Sequence, residues 1–128
     1  EIGISMNSTN KADVIFSFAS GVDAALREAC QSADNVYFIA QPSESHDTAP
    51  DITVTSIIQS NEALIYHAME TAANGTFKGG YYIAGFEDGG TCSLGVFGDF
   101  FDADKQAKVN DVINKIKSGE IDCDSYAK

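Results

Sequence analysis

Short β-branched and aromatic runs alternate along this chain with stretches in which apolar residues recur every three or four positions. Asp13–Phe18 (D-V-I-F-S-F) is a run of the first kind, bounded by Ser20-Gly21, and predicts a buried strand ending in a glycine-containing turn. Val22, Ala25, Leu26, Ala29 and Cys30 then fall at i, i+3, i+4, i+7 and i+8, one face of an amphipathic helix. Val36–Ala40 (V-Y-F-I-A) predicts a second strand, closed by Gln41-Pro42. The polar stretch Pro42–Asp51 holds both prolines and reads as a loop.

Ile52–Ile58 alternates apolar and hydroxyl residues before turning continuously apolar, and predicts a third strand. A helix is expected over Asn61–Ala73, with Leu64, Ile65, Ala68, Met69 and Ala72 along one side and Asn74-Gly75 as its stop. Lys78-Gly79-Gly80 leads into a strand expected at Tyr81–Phe86. After the bend at Gly89-Gly90 a short strand is expected around Leu94–Phe97. Val109, Val112, Ile113 and Ile116 form the stripe of a last helix over Ala103–Lys117, ended by Ser118-Gly119. Strands alternating with helices at this spacing predict an α/β fold, a three-layer arrangement with a mainly parallel sheet and flanking helices. The 128 residues (13.6 kDa) fit a single domain with one modest core.

Charge narrows the function classes. Acidic residues outnumber basic ones 19 to 8, for a net charge of −11 and a pI near 4.3. That balance repels a phosphate backbone, so nucleic-acid binding is excluded as a main activity. It equally disfavours adsorption to an anionic membrane surface. No apolar run reaches the roughly 18 residues of a membrane-spanning helix. Cys30, Cys92 and Cys123 are too widely spaced for a zinc knuckle or a redox pair, and three thiols without a disulfide is the preferred reading. Opening at Glu1 without an initiator methionine, the chain reads as a piece of a longer precursor.

Ligands of open α/β sheets bind beyond the carboxyl ends of the strands. Here those ends carry Ala19-Ser20-Gly21, then Gln41–Glu44, then Thr55–Gln59. Backbone N–H groups at Ser20-Gly21 suit an anion or polar ligand, and a plain tight βα turn is the equal alternative. Ser56 and Gln59 either face a ligand or cap the following helix. Catalytic and metal constellations are thin. Ser20 lacks the first glycine of a nucleophile elbow. His46, with Glu44 and Asp47 nearby, lacks a second ligand at helical spacing and reads as part of a solvated loop. Adjacent Glu87-Asp88 reads as a solvated turn, and Phe100-Phe101 as core or as a cover on the last helix. No catalytic residue, metal ligand or cofactor is assigned, and the chain is read as a ligand-binding scaffold and not an enzyme.

Six segments in order add a resemblance: D-V-I-F-S-F-A-S-G at 13–21, V-Y-F-I-A at 36–40, V-T-S-I-I-Q at 54–59, G-T-F-K-G-G-Y-Y at 75–82, E-D-G-G at 87–90 and K-V-N-D-V-I-N-K-I-K-S-G-E-I at 108–121. Together, from about Lys11 onward, they resemble the basic membrane protein (BMP) lipoproteins, the PnrA-like solute-binding proteins of ABC transporters. The resemblance implies the C-terminal part of a two-lobed type I periplasmic binding protein, whose chain crosses between lobes more than once near its end. It implies an extracytoplasmic, lipid-anchored precursor that takes a nucleoside or similar small polar solute and docks on a membrane permease. It further implies that the 61–73 helix belongs against the absent lobe, leaving an apolar face open to dimerisation. Members of the family grip ribose with an acidic residue after the second strand and a lysine after the third. Those positions hold Pro42 and Gln59 here, and Ser20, Gly21 and Gln41 complete the expected ligand-binding set. The two departures also fit an alternative, a regulatory or interaction protein with a degenerate pocket on the same scaffold.

Overall fold

A computed structural model describes residues 2–86 and 90–126. Most of the expected elements form, within a residue or two of their predicted ends. The order is α1 (Ile2–Ser8), β1 (Val14–Phe16), α2 (Asp23–Gln31), β2 (Tyr37–Ala40), β3 (Thr53–Gln59), α3 (Asn61–Ala73), β4 (Cys92–Leu94) and α4 (Ala103–Lys117). The four strands make one sheet in the order β1-β2-β3-β4, with β1–β2 and β2–β3 parallel. Gly95 N–H donates to the Ser56 carbonyl at 2.8 Å and Gly98 N–H to the Val54 carbonyl at 3.0 Å. Partners thus move backwards along β3 as the chain advances, so this edge of a mostly parallel sheet runs antiparallel. The fold is mixed α/β with helices flanking the sheet.

The chain divides into two compact units, the first made of residues 1–58 and 94–106 and the second of 59–93 and 107–128. It passes from one to the other at 58/59, 93/94 and 106/107. The first unit holds the hydrophobic core. Ile15 of β1 and Phe38 and Ala40 of β2 pack with Val36 and with Cys30 of α2, each 1–2% exposed, and Leu26, Ala33 and Ile52 close over them. The alternation along β2 is the strand period at work: Phe38 and Ala40 point to the α2 side, while Tyr37 and Ile39 point away. Tyr37 meets Phe100 there with ring centroids 4.8 Å apart.

In the second unit neither helix has a buried residue. Ser60 caps α3, its hydroxyl accepting the Ala63 N–H at 3.1 Å. Gly75, at φ +69°, supplies the left-handed stop expected after Asn74. The apolar side of α3 nonetheless faces solvent, with Ile65 60% and Met69 67% exposed.

Two expected strands are corrected, and two features go beyond the sequence pattern. Tyr81–Phe86 forms no strand among the described residues, and Tyr81 and Ile83 are almost wholly exposed. The following short strand sits at Cys92–Leu94 instead of Leu94–Phe97. The 42–51 segment is not wholly irregular, because His46–Thr48 makes a 3₁₀ turn. The sequence pattern gave no sign of α1, which exists through packing: a Cβ on Gly3 would lie 3.0 Å from Leu26 Cδ2 and 3.2 Å from Ala29 Cβ, so glycine lets α1 settle on α2. Glu87, Asp88 and Gly89 lie outside the described residues. No disulfide joins the three cysteines, and no described helix is long and apolar enough to cross a membrane.

Candidate functional site

Parallel pairing decides which loops share an edge. Phe16 pairs with Ile39 and Ala40 with Ser56. The segments leaving β1 and β2, Ser17–Val22 and Gln41–Ser45, therefore emerge side by side at the carboxyl edge of the sheet. Ser17 N–H extends the pairing one step further, donating to the Ile39 carbonyl at 3.2 Å.

A carboxylate holds the backbone of each loop. After β1, Asp23 in the first turn of α2 accepts the Ser17 hydroxyl and, at 3.0 Å, the Ala19 N–H. Ser17 is 2% exposed, so this bond satisfies a hydroxyl that water does not reach. The turn takes its left-handed residue at Ser20, φ +53°, and not at the neighbouring glycine. A non-glycine residue there costs of order 1 kcal/mol and persists where the surroundings over-determine it, which the Asp23 bonds do. Ser20 and Gly21 are exposed, and a Cβ on Gly21 would meet nothing within 4 Å.

After β2, the Gln41–Pro42 peptide is cis, Gln41 is half-buried and Pro42 exposed. Glu44 Oε1 accepts the N–H groups of Ser45 and His46, each at 2.9 Å, and the Ser56 hydroxyl at 2.8 Å. Its Oε2 accepts the Val96 N–H at 2.7 Å. Desolvation pushes the Glu44 carboxyl upward, but the His46 and Val96 N–H groups, the Ser56 hydroxyl and the Ser45 N–H outweigh it. The net effect holds the carboxyl below the ordinary glutamate range.

Of the expected binding set, Ser20, Gly21, Gln41 and Pro42 lie on this one rim. Gln59 is exposed, ends β3 and opens the second unit. Neither Ser56 nor Gln59 caps α3, since Ser60 does. The loop that reads as solvated is tied down through Glu44, and His46 is largely enclosed. Among the described residues no cluster of three or more His, Cys, Asp or Glu side chains could hold a metal. The sequence reading missed Asp23, Glu44 and Gly95 as structural partners. Glycine within a strand-like run signals a close approach, and Gly95 carries that signal.

Charge and shape complete the description. Positions 12–26 and 28–77 contain no Lys or Arg, so both rim segments are devoid of cations while Asp23, Glu44 and Asp47 are acidic. Cavities among the described residues lie away from the rim. One of about 160 Å³ runs between α1 and α2, beside Gly3, Asn7, Ile15 and Cys30, and three belong to the second unit. On the rim, Ser20, Gly21 and Pro42 are exposed.

Against known proteins, the family model for ABC transporter substrate-binding proteins of the PnrA-like type, Bmp, matches residues 3–125. The chain belongs to the Bmp family. The match takes in the N-terminal helix as well as the segments from Lys11 onward. Among solved structures, the transcriptional activator of the comK gene from Bacillus halodurans is similar at 21% identity with a TM-score of 0.75. That alignment covers 83% of this chain and 37% of the other, so this Bmp chain spans little more than a third of that neighbour's length. At this identity the likeness establishes a shared fold. No curated protein sequence matches the chain.

Proposed function

We propose that this Bmp chain is the C-terminal part of a two-lobed extracytoplasmic receptor and that its rim takes a small, uncharged or cationic polar solute, with a nucleoside as the leading class. The observation that carries the reading is the rim: two adjacent loops at the carboxyl edge of a parallel sheet, each fixed by an internal carboxylate. Solute sites are concave and bury most of their ligand. A rim open to solvent on this chain needs a second wall, which a second lobe supplies. Three passages between the units suit such a two-lobed chain, as does a second unit whose helices hold no buried residue.

In this reading Ser20, Gly21 and Gln41 offer backbone and amide hydrogen bonds, Pro42 packs against the solute, and Gln59 donates or accepts at the position where family members carry a lysine. Substituting Pro42 and Gln59 for an acidic residue and a lysine removes two charged partners, so recognition rests on neutral hydrogen bonds, each worth about 1 kcal/mol net. The cation-free rim repels anionic solutes. Lobe closure then sequesters the solute and presents it to the permease of an ABC transporter. The mature protein is held at the membrane by a lipid on the precursor, and the exposed α3 face is a surface for dimerisation. No bond is made or broken in the solute.

A second reading, a regulator on the same scaffold, is favoured by those same two positions and by the fold shared with the comK activator. Native mass spectrometry of the purified chain, repeated under denaturing conditions, separates the two. A small molecule released on denaturation supports the receptor. An empty chain that gains no adduct from a panel of nucleosides supports the regulator.

A further inference from the structure

Glu44 ties together three segments of the first unit that are distant in sequence. Its Oε1 accepts from its own loop at Ser45 and His46 and from Ser56 on β3, and its Oε2 accepts from Val96 beyond β4. Ser56 closes the ring, because its Oγ also accepts the Ser45 N–H at 3.0 Å. With four donors on two oxygens the carboxylate has about as many partners as a carboxylate can take. It has nothing left to offer a solute, so this residue, although exposed, holds the loop where the other rim residues would meet a ligand.

Gly95 is fitted to that carboxylate. A Cβ there would lie 2.0 Å from Glu44 Oε2, 2.8 Å from its Cδ and 3.1 Å from Ser56 Cβ. The Gly95 backbone has no freedom to retreat: its N–H donates to the Ser56 carbonyl at 2.8 Å and its carbonyl accepts the Thr55 hydroxyl at 3.2 Å. A side chain at Gly95 therefore expels the carboxylate and leaves the strand pairing in place.

We propose that Glu44 is the positioning residue of the rim. Its carboxylate, admitted because Gly95 has no side chain, holds the Gln41–Ser45 loop against β3 and the 95–98 segment in the geometry that meets a solute. The role in solute binding rests on the receptor reading above, whereas the clamp stands on geometry alone.

Three measurements on the 128-residue chain test it. In amide NMR, Glu44→Gln keeps the shape but turns one acceptor into a donor facing N–H groups. The expected result is a large shift of the His46 and Val96 amide signals and at least about tenfold faster hydrogen exchange at Val96, with core amides such as Phe38 unchanged. Unchanged Val96 and His46 signals overturn the clamp.

In a double-mutant cycle on thermal midpoint, Gly95→Ala lowers stability in the wild type and has little further effect in Glu44→Ala, because both remove the same bonds. Additive losses overturn the pairing of the two positions. Finally, adenosine and uridine are titrated into wild type, Glu44→Gln and Gly95→Ala at a temperature where all three are folded. The proposal expects about tenfold weaker binding in both variants, the loss of roughly one well-made charged hydrogen bond. Wild-type affinity in a variant whose Val96 amide has been released overturns the positioning role. If the wild type binds neither probe, the nucleoside reading fails together with the solute role, and the clamp is judged by the first two measurements.

Discussion

The Oε2 atom of Glu44 accepts a hydrogen bond from the Val96 N–H at 2.7 Å, joining two residues 52 positions apart. That bond joins the second rim loop to the segment beyond β4, and it has a consequence in acid. Because the folded-state value of the Glu44 carboxyl lies below the unfolded one, its contribution to stability is fully present above the ordinary glutamate pKa. It is lost as pH falls through the lowered value. Its titratable loop neighbours are His46 and Asp47. Thermal midpoints of wild type and Glu44→Gln measured from neutral pH downward should converge at acidic pH. A constant difference across that range contradicts the clamp's ionised state.

Thr53 is fully buried, and its hydroxyl has no hydrogen-bond partner among the described residues. A buried hydroxyl left unsatisfied costs at least about 1 kcal/mol, and Thr53→Val removes the polar atom while keeping the shape. The variant should gain about that much, raising the thermal midpoint by roughly 4 °C. A lower midpoint would mean that the hydroxyl has a partner.

Phe38 is the largest fully buried side chain, at the centre of the only hydrophobic core cluster among the described residues. Phe38→Ala should cost about 3–5 kcal/mol through lost burial and the cavity it leaves. That is a large share of the 5–15 kcal/mol typical of a domain. Denaturant unfolding followed by far-UV circular dichroism should show the first unit lost at or near room temperature. A change of less than about 1 kcal/mol would place the core elsewhere.

The apolar side of α3 behaves as surface in this chain. The double substitution Ile65→Glu with Met69→Lys, an i,i+4 pair in the favoured order, should leave stability within about 0.5 kcal/mol. It should also lower any self-association seen by sedimentation velocity. A strong loss of stability with no effect on association would mean that the face is covered within the chain.

Much of this architecture is written in local sequence. Asn61–Ala73 and Ala103–Lys117 form over the residues their periodicity predicts, because a serine cap, left-handed glycines and apolar stripes all act within a few positions. β2 and β3 are equally legible from their β-branched and aromatic content. The failures share one cause, dependence on partners distant in sequence. Tyr81–Phe86 has strand composition but forms no strand among the described residues, and α1 has no amphipathic period but finds Leu26 and Ala29. Ser20, Gly21, Gln41 and Pro42 could be placed on one edge from the order of strands alone. Glu44 could not be singled out, because its bonds to Ser56 and Val96 exist only once β3 and the 95–98 segment are in place.

The most direct test of the receptor reading is a calorimetric titration of the chain with adenosine, run beside the same titration with adenosine monophosphate. The two share a base and a ribose and differ by a phosphate that a rim without Lys or Arg repels. Saturable binding of adenosine with markedly weaker binding of the monophosphate is the predicted result. Tighter binding of the monophosphate, or binding of neither, contradicts a rim built for uncharged nucleosides.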